Sequence, residues 1–384
     1  MSTDVILSVI ILSIFVFIIL YLTRTKTKKT LVKNTAVGNR KVSFDGAVND
    51  LLNEEIKVNE STFLFTNITI EEGFLHDFSN FSILTEKYVT SEDQKITDQI
   101  VKGFRKPHPL LLSLTQGVFE PNELFDLIKT DPEMTAKILK VVNSPLFSLR
   151  QPITSINHAI IFLGVNSVKN IAMQLAVQTS INDQDHNQGA AHQKLWVASS
   201  MASSLCLLIA KELGRDNAAE LSTHCLLSYL GDMAIISYEK SAAKSYIDEA
   251  SQYLRIDNVQ NKINTNSALV GKKIAQEWEL PTSIIEGIAH SLLPLTFKNV
   301  VNEISDEKMA DILICYISCR LGDFVSFNKM TDISQLETLL HDPKNSISFY
   351  FIKDKIEEAG LGQLHTLFAD PTFKRKANKI MEQT

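Results

Sequence analysis

Glycine is scarce in this chain, with 14 in 384 residues, about half its average usage. No glycine-rich cluster occurs anywhere, which disfavours a sheet-rich fold with many tight turns, because such turns draw on glycine's positive φ. Also missing are a GxSxG elbow, a P-loop, a GxGxxG fingerprint and a paired CxxC. Serine-hydrolase, nucleotide-cradling and zinc-ribbon chemistry therefore lack their usual local signatures. Internal repeats and low-complexity blocks are absent too. What remains is 45% hydrophobic and 21% charged, enough apolar surface for a large core and too much for a disordered chain. The balance predicts helix.

Charge is absent from one stretch altogether. Val5 to Leu22 reads VILSVIILSIFVFIILYL, and at 1.5 Å per residue it would span about 27 Å, near the hydrocarbon thickness of a bilayer. Asp4 precedes it and Thr23-Arg24-Thr25-Lys26 follows, which is unlike a cleaved signal peptide with its basic start and small-residue cleavage site. The expectation is a retained transmembrane anchor. Arg24, Lys26, Lys28, Lys29, Lys33, Arg40 and Lys41 follow with no acid among them. This basic collar places the C-terminal side in the cytoplasm and the amino terminus outside, and it suits anionic lipid headgroups. The overall net charge of −6 divides into +6 for residues 1–44 and −12 for residues 45–384. So acidic a cytoplasmic part argues against nucleic acid as a partner.

Residues 45–104 mix short apolar stretches with polar spacers and support neither a helix nor a strand; they read as a connector. Beyond Pro107 helices have readable ends. Asp131-Pro132-Glu133 is an N-cap, a first-turn proline and a first-turn acid, and Asn143-Ser144-Pro145 stops the helix. Met134, Ile138, Val141 and Val142 share its apolar face. Ser155 begins a second helix, ended by Gly164 as a left-handed cap, and Asn166 opens a third. The polar stretch Asn182–Gln193 reads as an interruption before the apolar helix at LWVASSMASSLCLLIAKELG, whose serines and alanines allow close helix approach. Asn217 and Glu220 have capping-box spacing. Further helices are expected near Ser267–Trp278, Pro281–Leu292, Asp306–Phe324 and Ser346–Ala359. The basic run Phe373–Lys379 reads as a solvated tail. Cys206, Cys225, Cys315 and Cys319 sit in apolar helical stretches; Cys315 and Cys319 share a helix face, yet no second ligand pair follows them, so they read as small buried hydrophobes.

The run DPEMTAKILKVVNSPLFSLRQPITSINHAIIFLGVNSVKNIAMQ resembles the bacterial HDOD family through Asp131, Pro132, Asn143, Ser144, Pro152, Ile153, Ser155, Ala159, Ile160, Leu163 and Gly164. The likeness continues less clearly to about residue 300. It implies an all-α, multi-helix domain related to the metal-dependent HD phosphohydrolases but used for signalling and regulation through protein partners, without a cofactor. An HD enzyme needs a histidine, an adjacent His-Asp pair and a further aspartate, so that several deprotonated groups hold the metal with one position open for water. By the resemblance, those positions here hold Ala198, Ser228 and Tyr229; Gly231 keeps the motif, and Asp232 stands where a basic residue is usual. Asp311 is the candidate distal aspartate, but with its partners absent it reads as a helix-surface carboxylate. His76-Asp77 and His341-Asp342 are adjacent pairs outside the resembling region, and neither reads as a metal dyad. His224 and His290 fall near the expected cleft and read as core or rim histidines.

The expected organisation is an anchor over residues 1–23, a basic juxtamembrane segment and connector over 24–104, an HDOD-like domain over 105–300 and a helical extension over 301–384. The expected function is that of a non-enzymatic, inner-membrane-anchored signalling protein binding cytoplasmic partners. The alternatives are a phosphohydrolase or cyclic-nucleotide phosphodiesterase with an unconventional metal site, and a nucleotide-binding sensor.

Overall fold

The computed structural model describes Phe65 and residues 82–382, apart from 144–150, 182–184, 250, 297–303 and 351. Among the described residues every regular element is helical. The segment Val5 to Leu22, the basic collar, His76-Asp77 and Ser144 lie outside them.

The first helix, α1 (Ser91–Gly103), begins at a capping box in which Thr90 and Asp93 satisfy each other's amides. It is part of the connector and packs on the domain: Thr97 Oγ1 lies 2.9 Å from Thr265 Oγ1, and Leu84 N donates to Gln260 Oε1 at 2.9 Å. Phe65 is fully buried, its ring 5.4 Å from that of Phe349.

Helices α2 (Leu110–Thr115), α3 (Pro121–Ile128), α4 (Pro132–Val142), α5 (Ile156–Leu163) and α6 (Val165–Gln178) form a compact group. Asp131 caps α4, accepting from Met134 N at 2.8 Å, with Pro132 in the first turn. Met134, Ile138 and Val142 are buried, whereas Val141 lies at the edge of that face. Asn143 then ties the end of α4 to the approach of α5: its Oδ1 accepts from Ile153 N and its Nδ2 donates to Ile153 O, both at 2.7 Å. Ser155 caps α5 through His158 N. Gly164 has φ +85° and ψ 155°, so it needs glycine's positive φ but is extended rather than left-handed helical, because it ends α5 and opens α6 without a spacer.

The second group surrounds α7 (His186–Glu212), with α8 (Ala218–Leu227), α9 (Leu230–Tyr238), α10 (Ser245–Asp248), α11 (Gln252–Ile263), α12 (Ser267–Glu277), α13 (Thr282–Ala289) and α14 (Asp306–Phe327). The chain closes with α15 (Gln335–Leu340), α16 (Pro343–Tyr350), α17 (Lys353–Glu358), α18 (Gln363–Ala369) and α19 (Pro371–Met381). Helix α7 is long and apolar enough to cross a membrane. However, 56% of its most apolar window is buried within the protein, against α8 and α14.

Several expectations need correction. The stretch from His186 to Gln193 is the first two turns of α7, capped by Asp185; its polar groups are paired, Gln188 Nε2 donating to Ile236 O and His192 Nε2 lying 2.9 Å from Met233 O. Asn217 makes no cap, because its amide turns to Asp311 Oδ2 at 2.7 Å. The expected helix Ser346–Ala359 is two, α16 and α17, a break that lets both Phe349 and Ile352 be buried. The basic run is not a free tail: α19 buries Phe373, Ala377 and Met381 and packs against α7.

Candidate functional site

A cavity of about 200 Å³ opens between α8, α13 and the first half of α14. Among the residues that the sequence singles out, it gathers His224, His290 and Asp311 together with Ser228 and Cys315. Glu220 and His224 are one turn apart on α8, as Glu286 and His290 are on α13, so each helix presents a carboxylate and an imidazole to the same space. The His224 ring lies against Gly287, where a Cβ would come within 2.7 Å of it.

Most of these charges are already committed. Lys308 Nζ binds Glu286 at 2.6 Å, and Asp311 is held by Arg215 at 2.5 Å and Asn217 at 2.7 Å. The His224 imidazole and the Ser283 hydroxyl hold Glu220 down to about 2. Burial depresses the His290 imidazole, and Lys308 adds to the effect. His224 Nε2 is buried, 3.7 Å from Glu220 Oε1 and without a hydrogen bond. Glu220 and His224 are thus committed chiefly to each other and to Ser283.

The positions matched to the HD metal shell are occupied differently. Ala198 is fully buried on α7 where α14 crosses it at Gly322. Ser228 lines the cavity but its hydroxyl donates back to His224 O at 2.7 Å. The Tyr229 hydroxyl points into the core, 2.8 Å from Cys319 O and 2.9 Å from Asp323 Oδ1. The carboxylate that this position reaches is thus Asp323, more than three turns further along α14 than the candidate Asp311. Asp323 in turn sits between two buried guanidinium groups, Arg255 Nη2 at 2.5 Å and Arg320 Nη1 at 2.8 Å. Arg255 also stacks over the Phe327 ring, 4.0 Å from its centroid. An alanine methyl, a back-bonded serine and a tyrosine engaged with a salt-bridged carboxylate do not fit a divalent-metal shell of the HD type.

Residues 109–294 match the family model of the HDOD domain. This part of the chain is an HDOD domain. A protein of Treponema pallidum (strain Nichols), described as uncharacterized, is 24% identical over 194 residues, which is 48% of this chain but 37% of that protein. The chain thus spans little more than a third of that relative's length. An HDOD domain protein of unknown function from Geobacter sulfurreducens is similar in structure, with 18% identity, a TM-score of 0.46 and coverage of 72% of this chain and 97% of that one. A protein from Marinobacter aquaeolei VT8, provisionally described as a signal transduction protein, has 17% identity, a TM-score of 0.47 and coverage of 74% and 68%.

Within the HDOD domain, Asp131 does more than cap α4: its Oδ2 lies 2.9 Å from His108 Nε2. Gly231 permits α9 to touch α12, since a Cβ there would stand 1.9 Å from Ser267 O. His341 and Asp342 are exposed at the turn into α16, where Asp342 Oδ1 accepts from Lys344 N. The sequence reading passed over Glu220, Glu286 and Lys308 as cavity residues, although the repeated Glu-x-x-x-His spacing on two helices is a visible signal. It also passed over Arg255, Arg320 and Asp323, for which no local pattern exists.

Asp232 proves to be a half-buried partner of Tyr246, whose hydroxyl donates to it at 2.5 Å. Burial pushes its carboxyl up to about 6 from an ordinary 3.8, outweighing Tyr246 and Arg255. The native state therefore holds this proton more tightly than the unfolded chain. Its stabilising contribution is full below about pH 4 and is lost as pH rises through about 6, by up to about 3 kcal/mol. Asp232→Asn, neutral throughout, is expected to gain on the wild type by that order between pH 4 and pH 7. Urea unfolding of both proteins at the two pH values checks this, and a pH-independent difference would contradict it.

Proposed function

We propose that the chain is a membrane-anchored, non-enzymatic signalling protein whose HDOD domain binds a cytoplasmic protein partner. The observation that carries this reading is the use made of the former metal-shell positions: Ala198, Ser228 and Tyr229 serve packing and internal hydrogen bonding. A scaffold kept while its chemistry is replaced leaves helix faces for recognition. Ile161 and Phe162 on α5 support it, being 79% and 58% exposed although large and apolar. The uncharged segment Val5 to Leu22 with its basic collar supplies the anchor of the proposal, with the HDOD domain on the cytoplasmic side. The alternative of a nucleotide sensor is less favoured, because a cavity of about 200 Å³ is below the range of roughly 300–1,000 Å³ that encloses drug-sized ligands.

The test is affinity isolation of the full chain from mildly solubilised membranes, beside an Ile161→Asp/Phe162→Asp variant. The proposal expects a stoichiometric protein partner with the wild type and its loss with the variant. A chain found in the soluble fraction, a partner retained equally by both proteins, or metal-dependent turnover of nucleotide phosphoesters would overturn it.

A further inference from the structure

Three of the four cysteines converge although they come from different helices. Cys206 on α7, Cys225 on α8 and Cys315 on α14 have sulfur atoms that all lie within 4.8 Å of one another. Cys206 and Cys225 are fully buried, whereas Cys315 is part-exposed and forms wall of the cavity described above. Small hydrophobic packing explains one buried cysteine well; it does not require three sulfurs to meet. Their hydrogen bonding is weak, with Cys225 Sγ and Cys315 Sγ each 3.6 Å from a backbone carbonyl oxygen, of Cys315 and Leu221 respectively.

We propose that Cys206, Cys225 and Cys315 form a three-thiolate site for a thiophilic divalent ion of the zinc type, its open position facing the cavity. Zinc–sulfur bonds of about 2.3 Å in a tetrahedron put sulfurs about 3.8 Å apart. Small side-chain rotations close the present separations to that value. Thiolate ligands select soft or borderline ions over magnesium or calcium, and Cys315 gives an ion arriving through the cavity its first ligand. His224, whose Nε2 lacks a hydrogen bond, lines the same cavity. Binding replaces three S–H bonds by three metal–sulfur bonds, releases three protons to solvent and leaves a complex of net charge −1; no electron is transferred. The site is separate from the partner-binding reading and from the HD-type shell.

The experiment uses the purified, reduced full chain in detergent, titrated with Co(II) as a spectroscopic probe for zinc. The expected result is one Co(II) per chain, with thiolate-to-cobalt charge-transfer absorption and tetrahedral d–d bands that zinc abolishes. Cys206→Ser, Cys225→Ser and Cys315→Ser are each expected to weaken binding about tenfold or more, and Cys319→Ala to leave the bands in place. Because the two buried variants test folding as well as ligation, Cys315→Ser at the cavity wall is the deciding one, read with helical circular dichroism. Absence of sulfur-to-cobalt absorption in the wild type, unchanged bands in a folded Cys315→Ser, or an air-stable disulfide in place of free thiols would overturn the site.

Discussion

Asp323→Ala is expected to destabilise the protein by about 4 kcal/mol, because it leaves Arg255 and Arg320 charged, buried and without their shared carboxylate. Both Arg255 and Asp323 side chains are only 4% exposed, so solvent cannot take over the lost interaction. The partners removed with it are the two guanidinium contacts and the Tyr229 hydroxyl at 2.9 Å. Arg320 Nε already lacks a hydrogen bond, which leaves little slack in the network. Tyr229→Phe, by contrast, deletes one neutral hydroxyl that also reaches Cys319 O and should cost about 1 kcal/mol. Against a total stability of roughly 5–15 kcal/mol, the first change is severe and the second mild. Denaturant unfolding of the two variants separates them; equal losses would mean that the tyrosine, not the ion pairs, organises the core. A buried ion cluster need not be net stabilising, however. Replacing Arg255, Arg320 and Asp323 together by apolar residues is expected to recover most of the loss, since no unpaired charge then remains.

Local order along the chain was legible because its causes are local. Asp131 and Ser155 bond amides three residues ahead, and such caps are visible as residue spacing. The HDOD resemblance rested on the same feature, a series of caps and stops within some forty residues. Residues His186 to Gln193 misled for the opposite reason: hydropathy registers that Gln188 and His192 are polar, but not that carbonyls of α9 satisfy them. Asn217 likewise has a capping spacing and a distant partner, Asp311, that takes its amide. The charged core and the cysteine cluster are the extreme case. Cys225 and Cys315 lie 90 residues apart and Arg255 and Asp323 lie 68 apart, so neither meeting leaves any periodic trace. Cys315 and Cys319 without a second pair in sequence look like packing residues; the second and third ligands arrive from other helices.

Gly322→Ala is expected to cost about 3 kcal/mol or more, because the space its Cβ needs is occupied by backbone. That atom would stand 2.3 Å from Ala198 O, 2.8 Å from Ala202 N and 2.9 Å from Ala202 Cβ. Side-chain rotation cannot relieve the first two contacts, so α7 and α14 must separate along the interface that forms the centre of the second group. Ala202→Gly added to Gly322→Ala removes only the third contact and should restore only a minor part of the loss. Full restoration by that second change would show that the two backbones do not touch as closely as described. The same crossing bears on the proposed loss of HD-type chemistry. Ala198, at the position that the resemblance matches to a metal-binding histidine, is fully buried, and its carbonyl oxygen stands where α7 packs on Gly322. A larger side chain there would meet packed atoms, so restoring a histidine at 198 is expected to destabilise the bundle before it can hold a metal. Thermal unfolding of Ala198→His beside Gly322→Ala measures both, and an undiminished midpoint in Ala198→His would reopen the enzymatic reading.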